Sequence, residues 1–119
     1  MITKMIKVKF AYDRDKRECS LTVTGHAGQA DIGKDIICAS ASILAYTIAQ
    51  VVSLMDRHGD LAEPPTLDLE SGDATIVCRA KDDYLFAELM QDFFVVKTGY
   101  ALLKHNYPQF VEITDGEAE

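Results

Sequence analysis

Between Met5 and His58 the spacing of apolar residues switches from every second position to every third or fourth, and this ordered switch restricts what the chain can build. In Met5 to Ala11, Ile6, Val8 and Phe10 alternate with Lys7 and Lys9, the pattern of a half-buried strand. Cys19, Leu21 and Val23 then share one face of a second strand while Ser20, Thr22 and Thr24 share the other, and the pattern ends at Gly25. The charged stretch Asp13 to Arg17 makes the connecting turn. From about Ile36 to His58 the spacing becomes helical through Ile43, Leu44, Ile48, Val51, Val52 and Met55, with Asp35 as N-cap and Gly59 as terminator.

The remainder repeats this plan. Pro64 and Pro65 reset the chain, and Thr66 to Glu70 followed by Ala74 to Ala80 across Ser71-Gly72-Asp73 reads as a second hairpin with Ile76, Cys78 and Ala80 facing inward. A second helix is expected from about Asp82 to His105, where Leu85, Leu89, Phe93, Val96, Tyr100 and Leu103 recur at helical spacing and Phe86, Met90 and Phe94 broaden the stripe. Pro108 stops it, and Phe110 to Thr114 supplies a last short strand. The order ββαββαβ predicts an α+β, two-layer domain in which two helices cover one face of a largely antiparallel sheet. Residues 1–114 form this single domain, and 115–119 are an acidic polar end.

Composition narrows the functional classes. With 119 residues, of which 48% are hydrophobic, the chain can bury an adequate core without staples. The three cysteines, at positions 19, 38 and 78, include no CxxC pair, so neither a disulfide framework nor a zinc site is indicated. A net charge of −7 leaves no basic stripe for direct nucleic-acid binding and favours a cationic partner. Ser40, Ser42, Thr47, Gln50 and Ser53 interrupt the apolar segment from Ile36 to Met55, so a buried core helix is expected and no membrane partner. The start Met1-Ile2-Thr3-Lys4 lacks the marks of a signal peptide, and cytoplasm is the expected location.

The chemistry concentrates between the second strand and the first helix. With the helix starting near Ile36, Cys38 falls in its first turn, where unpaired N–H groups and the positive end of the dipole favour a thiolate. His26, just past Gly25 and off the apolar face, is placed to act as general base. Gly28 and Gly33 give the connecting loop its mobility and match no phosphate-binding spacing. Asp35 is read as a cap that also orients His26, the N–H groups of Cys38 and Ala39 as oxyanion donors, and Ser40 and Ser42 as polar contacts or compact helix packing. Cys19 and Cys78 fall on apolar strand faces and read as inert core, while His58 and His105 cap helix ends.

The segments Gly25-His26-Ala27 and Gly33-Lys34-Asp35-Ile36-Ile37-Cys38-Ala39-Ser40-Ala41-Ser42, with histidine and cysteine twelve apart, resemble the ribosomal-processing cysteine proteases called Prp. The resemblance implies a small homodimeric endopeptidase with a Cys–His dyad, Cys38 attacking and His26 shuttling the proton, and no metal or organic cofactor. It further implies a basic large-subunit ribosomal protein with a short N-terminal extension as substrate, or a phage structural protein in some relatives, with the loop between the motifs closing over the peptide.

Two other classes compete with this expectation. A non-catalytic, dimeric interaction module would use the loop and the small residues Ala39 to Ser42 to hold a partner. A thiol redox sensor would use the oxidisable thiol of a helix-start cysteine.

Overall fold

The computed structural model describes residues 5–25, 32–70 and 73–117, with backbone alone for 32–35. Its elements run β1 (Ile6–Asp13), β2 (Glu18–Thr24), α1 (Ile32–Arg57), β3 (Thr66–Asp68), β4 (Ala74–Arg79), α2 (Asp83–Asn106) and β5 (Val111–Glu117), the order expected from the sequence. One five-stranded sheet results, with strand order β3-β4-β2-β1-β5. β1, β2, β4 and β3 pair antiparallel, and β5 joins β1 in parallel, so the sheet is mixed at one edge.

Strand alternation decides which face is covered. Ile6, Val8 and Phe10 of β1, Cys19, Leu21 and Val23 of β2, and Ala74, Ile76 and Cys78 of β4 are all buried in one cluster with residues of both helices. Lys7 and Lys9 project from the opposite, wetter face. α2 contributes Phe86, Leu89, Phe93, Val96, Tyr100 and Leu103 to the cluster, and α1 contributes Ile37, Ala41, Ala45, Ile48, Val52 and Met55. Both helices therefore lie on one face, and the result is the α+β two-layer arrangement. Although α1 is long and apolar enough to cross a membrane by composition, its stripe is spent on the sheet.

The helix ends follow local chemistry. Gly59 adopts φ +76°, its N–H reaches Asp56 O at 3.1 Å, and Asp60 N–H reaches Met55 O at 3.0 Å, the paired bonds of a glycine-terminated helix. At the start of α2, Asp82 Oδ1 accepts from Leu85 N–H at 2.8 Å.

Four local expectations change. β3 stops at Asp68, two residues short of Glu70. β5 runs to Glu117 because Asp115, Gly116 and Glu117 pair with Phe10, Ala11 and Tyr12 of β1, so most of the expected acidic end is strand. Lys97 Nζ meets Asp115 at 2.6 Å and Arg14 Nε meets Glu117 at 3.1 Å, which balances that acidic strand end. Ile43 is 60% exposed and Phe94 56%, so neither belongs to the core stripe that spacing assigned them.

The fourth change matters most for chemistry: α1 begins at Ile32, four residues before the expected start. Ile32-Gly33-Lys34-Asp35 contains no proline, and the only local penalty is the ~1 kcal/mol of a helical glycine. Gly33 and Asp35 are thus helical residues, and Asp35 is no N-cap.

Candidate active site

Cys38 lies six residues beyond the first residue of α1, nearly two turns into the helix. The N–H groups that lack an intrahelical partner belong to the first four residues, Ile32 to Asp35, so the backbone of Cys38 and Ala39 does not supply the free oxyanion donors expected of a first turn. The helix dipole also fades beyond its first turn. The helix start therefore offers Cys38 less thiolate stabilisation than the sequence reading expected.

The helix presents Cys38 at the margin of its buried stripe. Ile37 and Ala41 are sealed in the core, Ile36 and Ala39 are exposed, and Cys38 is half-buried between them. Ser42 is half-buried one turn further on, and Ser40 turns back to its own helix, donating to Ile36 O at 2.8 Å. The other two thiols differ in kind. Cys19 and Cys78 are 1% and 2% exposed, and burial, reinforced by Glu18, pushes Cys19 up to about 12. Cys78 is raised further by burial, with smaller contributions from Cys19 and Glu18. Neither forms a thiolate at neutral pH, so the core assignment made from strand parity holds.

The second half of the expected pair begins where β2 ends. Thr24 pairs with Lys7, and Gly25 follows at φ +88°. A Cβ at Gly25 would overlap the carbonyl oxygen of Met5, so only glycine lets the chain leave the sheet in this direction. His26 and Gly28 lie outside the described residues, and so does the side chain of Asp35.

Two features escaped sequence reasoning. Tyr100 was read as one more member of an apolar stripe, yet its buried hydroxyl donates to the backbone carbonyl of Ala41 in α1 at 2.7 Å. A tyrosine amid leucine, valine and phenylalanine was the available signal, since a buried phenol generally finds an acceptor. Cys19 and Cys78 also prove to be directly opposed on β2 and β4, which required knowing that these strands are neighbours.

The family model for the cysteine protease Prp matches residues 5–112. The chain belongs to the cysteine protease Prp family. It is therefore a cysteine protease, a hydrolase, and the resemblance read from the two motifs extends over residues 5–112. Among curated proteins none matches.

Solved structures share the Prp fold at low identity. The chain is similar to SMU.848 from Streptococcus mutans, with a TM-score of 0.69 and 23% identity over 97% of each chain. It is also similar to the essential ribosomal processing protease Prp from S. aureus in complex with a substrate peptide, with a TM-score of 0.65 and 18% identity over 93% of this chain and 99% of that one. The same S. aureus protease with a covalently linked product peptide gives a TM-score of 0.62 and 20% identity, over 93% of this chain and 99% of that one.

Proposed function

We propose that this Prp-family protease removes a short N-terminal extension from a basic large-subunit ribosomal protein, with Cys38 as nucleophile and His26 as general base. Exposure carries the assignment of the nucleophile: of three cysteines, two are sealed in the core with raised thiol pKa values, and Cys38 alone stands at the surface margin of a helix. Membership of the cysteine protease family requires a reactive thiol, and Cys38 is the candidate whose environment allows one.

In this reading His26 takes the thiol proton, and the Cys38 sulfur attacks the scissile carbonyl carbon. Collapse of the tetrahedral intermediate breaks the C–N bond, the imidazolium gives its proton to the departing amine, and a thioester remains on Cys38. Water activated by the neutral imidazole then releases the carboxylate product and the free thiol. The S. aureus relative, captured with both a substrate peptide and a covalently linked product peptide, supports a ribosomal substrate and a covalent route on this fold. Asp35 and Ser42 act in orientation, Gly28 acts as a pivot of the segment that covers the peptide, and Gly33, a helical residue, is not part of that pivot.

The protein works in the cytoplasm, where its substrate is assembled, and as a homodimer. Ile36, Ile43 and Tyr46 of α1 are each at least half exposed, an apolar surface that a second copy would cover. Light scattering after size exclusion tests this, and a monomer at micromolar concentration would contradict it. The activity is tested by incubating the purified protein with the host's extended ribosomal protein and reading the products by intact mass. Loss of the extension is expected, and an unchanged mass would contradict the assignment.

A further inference from the structure

Tyr100 is completely enclosed on the inner face of α2, with its ring edge toward Phe10 at 5.9 Å between centroids. A phenylalanine would fill the same apolar space, so the hydroxyl is the part that packing alone does not require. That hydroxyl donates to the carbonyl of Ala41 at 2.7 Å. A helical carbonyl has a second lone pair beyond the one its own helix uses, so α1 does not depend on this bond for its integrity. Burial raises the phenol pKa well above its ordinary value, and Tyr100 stays a neutral donor.

Ala41 is three residues from Cys38, about 60° away around the helix and less than one turn along it. Because Cys38 sits between the sealed Ile37–Ala41 line and the exposed Ile36–Ala39 line, a modest rotation of α1 would sink its sulfur or swing it into solvent. Of the core side chains along this line Ile37 is large, whereas Ala41 and Ala45, which face α2, are small and resist such a rotation weakly. Beside Tyr100, Gly99 brings the two helices together, with Leu44 Cδ2 only 2.6 Å from where a Cβ would lie. At this close crossing the phenol–carbonyl bond is a directional contact from α2 to α1.

We propose that Tyr100 is a positioning residue for the proteolytic reaction: its hydroxyl, acting through the Ala41 carbonyl, fixes the rotation of α1 and with it the line along which Cys38 attacks. The inference rests on Cys38 being the nucleophile. It is tested with Tyr100→Phe, assayed on an extended-substrate peptide well below its melting temperature beside Cys38→Ala and Val96→Ala. Val96 is buried in the same helix one turn before Tyr100, and its truncation costs stability while removing neither the Tyr100 hydroxyl nor its acceptor.

The expected result is that Cys38→Ala is inactive and Tyr100→Phe loses about tenfold in kcat with KM within about twofold of the parent. Val96→Ala keeps the parental kcat although it melts earlier. Parental kcat in Tyr100→Phe, or losses in Tyr100→Phe and Val96→Ala that merely follow their melting temperatures, would overturn the positioning role while leaving the catalytic assignment standing. Activity in Cys38→Ala would overturn that assignment and this inference together.

Discussion

Cys19 and Cys78 face one another across β2 and β4, and the Cys78 thiol points at the Cys19 carbonyl oxygen at 3.7 Å. The Cys19 sulfur in turn meets Met90 Sδ at 3.5 Å. Both thiols are therefore ordinary packing groups. With the folded protein at neutral pH, iodoacetamide should alkylate Cys38 and spare the other two, which react only after unfolding. Peptide mapping by mass spectrometry reads the result directly, and fast labelling of Cys19 or Cys78 would contradict it.

The same buried acids predict a weakness toward alkali. Cys19, Cys78 and Tyr100 all hold their protons more tightly folded than unfolded, chiefly because burial penalises their charged forms. A raised folded pKa means that the stabilisation is complete below the unfolded value, 9.0 for a thiol, and is lost as pH climbs toward about 12 for Cys19. Urea midpoints should be level up to about pH 8.5 and fall steeply above it. A constant midpoint to about pH 11 would show that these groups are not enclosed as described.

Gly25 and Gly59 share a left-handed backbone but differ in their surroundings. A methyl group at Gly59 meets nothing, so Gly59→Ala should cost about 1 kcal/mol of stability from backbone conformation alone. At Gly25 it overlaps the Met5 carbonyl as well, and Gly25→Ala should cost at least about 2 kcal/mol. Because Gly25 precedes His26, activity per folded molecule should fall too. Equal urea midpoints for the two variants would contradict the distinction.

Charge gives a kinetic prediction. A net charge of −7 should draw a basic substrate to the protein through long-range attraction. As salt rises from about 0.05 M to about 0.5 M, kcat/KM for a basic peptide should fall severalfold while kcat stays level. An unchanged kcat/KM would remove steering from the account.

Most of the architecture was legible because period-two alternation over Ile6 to Phe10 and Cys19 to Val23, and helical spacing over Leu89 to Leu103, each reflect burial on one face. The boundaries that differ are those set by tertiary partners. β5 extends because β1 offers it seven successive partners, a fact absent from the local sequence of Val111 to Glu117. The start of α1 was misplaced because an aspartate such as Asp35 suits a cap and also occurs within a helix, so its identity does not choose between the two. At the candidate site, the spacing of Cys38 from His26 was legible, but its place in the helix was not, since α1 starts at Ile32 and not near Ile36. The phenol behind it was not, since a hydrogen bond from Tyr100 to Ala41 joins residues 59 apart.

Cys38 is proposed to open the peptide bond with His26 as its base. The most direct measurement is intact-mass analysis of an extended ribosomal-protein substrate incubated with the parent, Cys38→Ala and His26→Ala, with melting temperatures recorded alongside. The parent should remove the N-terminal extension, either variant should cleave at least about a thousandfold more slowly, and both variants should melt close to the parent's temperature. Cleavage by Cys38→Ala at the parental rate would contradict the proposal.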